Sequence, residues 1–147
     1  MATDKMIAQK DGTIGRIIFN NPDRRNAVSF EMWEALGEIT AEYIADDAIR
    51  VIVLEGAGDK AFVAGADISR FGSERTSQAD VERYGRMVSA STELLGGALK
   101  PTIAKIRGFC IGGGLGIALS CDMRICADDA QFAVPAAKLG LGYPHNN

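Results

Sequence analysis

Gly108-Phe109-Cys110-Ile111-Gly112-Gly113-Gly114-Leu115-Gly116-Ile117-Ala118-Leu119-Ser120-Cys121-Asp122, preceded by Lys100-Pro101-Thr102-Ile103-Ala104-Lys105-Ile106-Arg107, is the stretch that decides how this chain folds. The apolar run from Thr102 to Ile106, bounded by Pro101 and Gly108, reads as a buried strand. The run from Leu115 to Cys121 reads as a buried helix. Between them Gly112, Gly113 and Gly114 form a turn at the helix start, where the first N–H groups have no intrahelical partner. Without a Cβ, such a turn either lets the helix pack closely on a sheet or lets an oxygen of another molecule approach the backbone. Two better-known glycine loops are excluded. Gly114 is followed by Leu115 and Gly116 rather than by Lys and Ser or Thr, and the glycines recur at every second position instead of as G-x-G-x-x-G.

Working outward, the strand Val51-Ile52-Val53-Leu54 leads through Gly56-Ala57-Gly58 into a second glycine-containing stretch, Lys60-Ala61-Phe62-Val63-Ala64-Gly65-Ala66-Asp67-Ile68. Val51 to Leu54 is apolar at every position, as expected of a parallel strand covered by helices on both faces. Upstream, Met6-Ile7-Ala8 and Ile14 to Phe19 flank Asp11-Gly12, a hairpin signal, and Asn20-Asn21-Pro22-Asp23 breaks the second strand. From Ser29, an expected N-cap, Met32, Trp33, Leu36, Ile39, Tyr43 and Ile44 fall three or four apart, predicting an amphipathic helix to about Ala45, where Asp46-Asp47 ends it. With the strands on either side this makes a β-α-β unit.

A short turn at Asp67 and a polar loop over Ser69 to Ser77 precede another helix. Ser77-Gln78-Ala79-Asp80 resembles a capping box. Val81, Tyr84, Met87, Val88, Ser91, Leu94 and Leu95 form the expected buried stripe, and Gly96-Gly97 stops the helix. Met123 to Ala127 and Gln131 to Val134 read as short strands. No repeat, low-complexity tract or linker divides the chain, so residues 1–147 read as one domain.

With Lys and Arg numbering 16 against 19 Asp and Glu, the net charge is −3 and no basic block is present, which argues against a nucleic-acid partner. No apolar run is long enough to span a bilayer and no secretory pattern opens the chain, so a cytoplasmic protein without a membrane partner is expected. Cys110, Cys121 and Cys126 lie among apolar residues without Cys-x-x-Cys spacing, and read as buried free thiols rather than metal ligands or disulfides. His145, the single histidine, excludes a histidine cluster, and no G-x-S-x-G elbow is present.

Three blocks in order, Asn21-Pro22-Asp23-Arg24-Arg25-Asn26-Ala27, then Ala61 to Ile68, then Gly108 to Asp122, resemble the crotonase superfamily, the enoyl-CoA hydratase/isomerase family. The resemblance covers nearly all of the chain from Ile14 to Tyr143. It implies an α/β fold in which β-β-α units coil into a spiral, with an acyl-CoA thioester lying between the two glycine-containing loops. It implies no cofactor beyond the coenzyme A of the substrate, and lyase or isomerase chemistry of the kind found in fatty acid metabolism. Backbone N–H groups of Ala66 and Gly113 would stabilise the thioester enolate as an oxyanion hole. Arg25, Asn26 and Ala27, together with Ala64, Asp67 and Ile68, would follow the CoA, Arg24 or Arg25 meeting a phosphate. Asp67 would cap its turn and Asp122 would support the glycine helix.

The chain departs from that pattern where the reaction is decided. Hydratases of this family place one glutamate two residues after the glycine triplet and another just after the proline of the Gln-Phe-x-x-Pro stretch. Gly116 and Ala136 stand there. Three readings therefore remain: an acyl-CoA enzyme whose hydration activity lacks its usual acid and base, a decarboxylase of malonyl-type CoA esters using Tyr143, and a non-catalytic acyl-CoA binder or inactive fragment. Tyr143 as a packing residue and His145 as an acid or base are further alternatives. Because family members continue past Tyr143 into helices that build trimers, often paired into hexamers, a truncated domain that relies on oligomeric contacts is expected.

Overall fold

The computed structural model describes residues 3–67, 69, 77–140 and 142. Strands β1 (Met6–Asp11) and β2 (Ile14–Phe19) form the expected antiparallel hairpin, with Met6 opposite Phe19 and Asp11 opposite Ile14. A 3-10 turn at Pro22–Arg24 and helix α1 (Phe30–Ala45) follow. After α1 come β3 (Val51–Gly56), β4 (Ala61–Val63), α2 (Gln78–Gly96), β5 (Thr102–Ile106) and β6 (Phe109–Ile111). Helix α3 (Gly113–Ser120), β7 (Met123–Cys126), β8 (Gln131–Ala133) and a 3-10 turn at Ala136–Leu139 complete the described elements.

The strands fall into two sheets, one ordered β1-β2-β3-β5-β7 and the other β4-β6-β8. Only the β1·β2 pair is antiparallel; β2·β3, β3·β5, β5·β7, β4·β6 and β6·β8 all run parallel. Each consecutive pair, β3/β4, β5/β6 and β7/β8, thus gives its first strand to the larger sheet and its second to the smaller, and a helix carries the chain to the next pair. This is the α/β spiral of β-β-α units that the sequence implied.

Helix–sheet packing follows from residue size. Gly15 on β2 has no Cβ, which would clash with the Tyr43 ring, so α1 lies close on the larger sheet. Tyr43 is fully buried, and its hydroxyl donates to the Arg16 carbonyl at 3.2 Å. Between helix and sheet, Ile17, Phe19, Met32, Leu36, Ile39, Ile52, Leu54, Phe62 and Ala104 form a shared core. Helix α2 starts on the anticipated capping box: Asp80 N–H donates to Ser77 Oγ at 3.2 Å and Ser77 N–H donates to Asp80 Oδ2 at 3.0 Å.

Several expectations are corrected. Strand β3 is not covered on both faces: Ile52 and Leu54 are fully buried, whereas Val51 and Val53 are half-exposed. Helices α1 and α2 lie on one side, and the other carries a charged ladder in which Arg16 and Lys105 reach Glu55 at 3.0 and 2.7 Å. Ser29 does occupy the N-cap of α1, but its side chain makes no capping bond, and Ser29 Oγ is buried without a partner among the described residues. On α2 the stripe is narrower than predicted, since Val81 and Leu94 are exposed while Tyr84, Ser91 and Leu95 are buried. Helix α3 begins at Gly113 rather than Leu115 and buries only Gly114, Ile117 and Ala118, leaving Leu119 exposed. Cys110 and Cys121 are buried as expected, but Cys126 is exposed because β7 is an edge strand with all four residues accessible. Predicted features at Ile68, most of the loop to Ser77, Tyr143 and His145 lie outside the described residues.

Candidate active site at the ends of β4 and β6

Strands β4 and β6 are parallel neighbours, Ala61 opposite Phe109 and Val63 opposite Cys110. The segments that follow them, Ala64-Gly65-Ala66 and Gly112-Gly113, therefore leave the smaller sheet at the same end. The first of them runs close to the end of β6: a Cβ on Gly65 would lie 3.4 Å from the carbonyl oxygen of Ile111.

Ala66 is held by a single parallel bridge to Val28. Val28 N–H donates to the Gly65 carbonyl at 2.8 Å and Asp67 N–H donates to the Val28 carbonyl at 2.9 Å. In a parallel bridge of this kind the residue between the two bonded groups turns its own N–H away from its neighbour. Ala66 N–H accordingly has no partner among the described residues. Gly65 adopts φ 105, a conformation few residues other than glycine accept, and so redirects the chain into this bridge.

Across the gap, Gly112 has φ 53 and ψ −117; its N–H donates to the Ala133 carbonyl at 2.8 Å and its carbonyl accepts from Gly116 N–H at 3.1 Å. The positive φ turns the chain from β6 into α3, and Gly113 becomes the first helical residue. Its N–H is one of those a helix leaves unpaired, and it has no partner among the described residues. Ala66 and Gly113 are both half-buried. Two backbone donors without a partner among the described residues thus stand on neighbouring loops, and the helix dipole behind Gly113 favours negative charge there.

The third block packs beside them. Arg25 and Asn26 both adopt left-handed backbone, φ 52 and 57. Asn26 is fully buried, and its side chain accepts from Asn21 N–H at 2.9 Å while donating to the Ala57 and Ala61 carbonyls at 3.0 and 2.9 Å. Those bonds hold the Arg25–Val28 segment along Ala64–Asp67, where Ala64 N–H donates to the Arg25 carbonyl at 3.0 Å. Arg25 itself is exposed, its guanidinium 4.8 Å from the centroid of the Phe109 ring. Ala27 is half-buried beside it. Thus Arg25, Ala27, Ala64, Ala66, Asp67 and Gly113 gather in one region, whereas Ile68 and Tyr143 are outside the described residues.

Two carboxylates occupy supporting positions. Asp67 Oδ1 accepts from Ser69 N–H at 3.1 Å and Ser69 Oγ at 2.6 Å, the local cap that the resemblance implied. Asp122 Oδ2 accepts from Thr102 N–H at 2.8 Å and Thr102 Oγ1 at 2.9 Å, and these bonds hold its carboxyl below the usual range. Asp122 therefore ties the end of α3 to the start of β5. Gly116 and Ala136 bring no carboxylate, and among the described residues no cluster of His, Cys, Asp and Glu is arranged to hold a metal. The structural role of the Asn26 side chain was missed in the sequence, as was the placement of Trp33 beneath Gly113. An asparagine in a turn was the available signal for the former, because Asn tolerates left-handed backbone better than most residues. Nothing local signalled the latter.

Residues 9–145 match the family model described as enoyl-CoA hydratase/isomerase. The short-chain-enoyl-CoA hydratase of Clostridium acetobutylicum is 35% identical over 142 residues, covering 96% of this chain and 53% of that protein. The carnitinyl-CoA dehydratase of Proteus mirabilis is 36% identical over 130 residues, covering 88% of this chain and 48% of that protein. A crystal structure of an enoyl-CoA hydratase/carnithine racemase from Magnetospirillum magneticum superposes with a TM-score of 0.93 at 34% identity, over 99% of this chain and 54% of that one. The chain spans about half the length of the curated relatives it matches. Spiral topology, the three sequence blocks and these matches agree: the chain belongs to the enoyl-CoA hydratase/isomerase family.

Proposed function

We propose that this chain binds an acyl-CoA thioester and stabilises negative charge on the thioester carbonyl oxygen with the N–H groups of Ala66 and Gly113. The observation that carries this reading is the pair of backbone donors, unpartnered among the described residues, on adjoining loops at one end of the β4·β6 pair. Chemistry at the carbon beside a thioester places charge on that oxygen. Donors fixed in advance stabilise the charge without reorganising, and removing one typically costs roughly 3 kcal/mol of transition-state stabilisation. In this reading the CoA follows Arg25, Ala27, Ala64, Asp67 and Ile68, with the exposed Arg25 guanidinium available to a phosphate. Crotonase-type lyase or isomerase turnover is the parent reaction class.

A second reading, an acyl-CoA binder without turnover, is favoured by one observation: neither Gly116 nor Ala136 supplies the carboxylate that hydration needs as acid or base. The two readings separate in one experiment. Trp33, the only tryptophan, lies against Gly113, so its emission reports occupancy of the site. Titration with crotonyl-CoA and methylmalonyl-CoA is expected to change that emission, with product mass followed in parallel. Turnover of either supports the enzyme, binding without turnover supports the second reading, and no binding overturns both.

A further inference from the structure

We infer that Trp33 and Tyr84 are positioning residues: their buried hydrogen bond sets where the Gly113 N–H points. The inference rests on the oxyanion reading above and adds the device that holds one of its two donors. The Trp33 ring stands on the side of Gly113 where a side chain would project. A Cβ on Gly113 would lie 3.5 Å from Trp33 Cζ2, an ordinary contact distance, so the indole lies directly against the first residue of α3.

Helix α2 grips Trp33 twice. Trp33 Nε1 donates to Tyr84 Oη at 3.0 Å, across 51 positions of sequence, in a buried setting. Seven residues further along α2, Ser91 Oγ donates to the Trp33 carbonyl at 2.9 Å. Trp33, Tyr84 and Ser91 are 2%, 9% and 2% exposed. The helices approach closely here, since a Cβ on Gly37 would lie 3.4 Å from Ser91 Oγ. One bond fixes the ring and the other fixes the backbone that carries it. Phe30, whose ring centroid is 6.4 Å from that of Tyr84, closes the cluster toward the start of α1.

The Asp67 and Asp122 contacts orient the ends of the site, but neither touches Gly113. The Trp33 ring faces the side of Gly113 where a Cβ would stand, and a buried hydrogen bond in a low-dielectric setting holds it in one orientation. Small misplacement of a donor is enough to reduce transition-state stabilisation steeply. The pair therefore acts through Gly113 without touching substrate.

The test compares the wild-type chain with Tyr84→Phe and Trp33→Phe, each labelled with 15N-glycine, using acetoacetyl-CoA as probe because its bound enolate has its own ultraviolet band. Tyr84→Phe is expected to move the Gly113 amide resonance while leaving that of Gly15, on β2, in place. The enolate fraction of bound acetoacetyl-CoA should fall about tenfold, with the dissociation constant of free CoA within about twofold of wild type. Trp33→Phe, which removes the donor and keeps an aromatic filler, should do the same should Tyr84→Phe fail to fold, and the double variant should lose little more than either alone. A Gly113 resonance unmoved in the folded variant overturns the inference. So does an enolate loss that only tracks a drop in CoA affinity and melting temperature. Absence of acyl-CoA binding in wild type overturns the oxyanion reading instead, and the Gly113 resonance still decides the brace.

Discussion

Gly114 lies against Val63 with no space for a side chain: a Cβ on Gly114 would fall 2.7 Å from the Val63 Cβ and closer still to the Val63 carbonyl oxygen. The nearest obstructing atom is the β4 backbone carbonyl, which cannot swing aside as the end of a side chain would. Gly114→Ala must therefore push α3 off the smaller sheet, an overpacking that costs about 3 kcal/mol at the upper end of such changes. Gly116, two residues on, has nothing within 4 Å of its would-be Cβ, so Gly116→Ala is expected to stabilise the helix by up to about 1 kcal/mol. Urea unfolding midpoints of the two variants should move in opposite directions.

Gly113→Pro separates donor from fold. Proline is well accepted at the first helical position because its missing N–H would have been unpaired there. Contact between the position 113 Cβ and Trp33 Cζ2 is ordinary at 3.5 Å, so Gly113→Ala is the matched control. Turnover of any thioester substrate should fall by about 100-fold or more in Gly113→Pro, with the circular dichroism unchanged, and survive in Gly113→Ala. Equal activity in the two variants would remove Gly113 from the mechanism.

What the sequence made legible was what local chemistry decides. Glycine and proline punctuation, the three-and-four spacing of α1 and the Ser77/Asp80 box each depend on residues within a few positions of one another. They placed the hairpin strands, β3, β5, β7, β8, the two long helices and the glycine turn, whereas Ala61–Val63 and Phe109–Ile111 were not read as strands, being too short to show a period. Whether a strand is covered on one face or two depends instead on elements elsewhere, so the unbroken apolar run Val51 to Leu54 looked the same as a strand buried on both faces. Cys126 was misjudged for the same reason, since an apolar residue on an edge strand has no local mark of its position. Ala66 was put forward by family resemblance and by no property of alanine, because a backbone donor leaves no trace in side-chain identity. The Trp33–Tyr84 bond joins residues 51 positions apart, beyond any periodic pattern.

Thiol chemistry gives a prediction independent of function. Burial pushes the Cys110 and Cys121 thiols up to about 12, from an ordinary value of 9.0. Both should remain protonated and unreactive at pH 8, because the thiolate is the nucleophile. Exposed Cys126 should react alone, one equivalent of a disulfide reagent per native chain rising to all three cysteines in denaturant. The sign of the linkage follows: with folded-state values above the unfolded ones, this contribution to stability is intact below pH 9.0 and is lost progressively toward pH 12. Rapid modification of all three thiols at pH 8 without loss of structure would contradict the burial.

The last prediction asks whether the missing carboxylates are all that stands between this site and hydration. Gly116 sits on α3 one turn beyond Gly113, and its would-be Cβ has open space around it. Gly116→Glu should therefore fold at least as well as wild type, replacing glycine in a helix interior with a better helix former. Ala136 is half-buried at the start of the 3-10 turn Ala136–Leu139, immediately after Pro135, where a glutamate side chain has a partly accessible path. Neither substitution alone supplies both an activated water and a proton donor, so each single variant is expected to leave crotonyl-CoA unhydrated. Gly116→Glu combined with Ala136→Glu should produce slow loss of the enoyl thioester absorbance together with a product heavier by one water. Its pH–rate profile should be bell-shaped, one carboxyl acting ionised as the base and the other protonated as the acid. Hydration by the wild-type chain at a comparable rate would mean that a group outside α3 and the turn after β8 already performs this step.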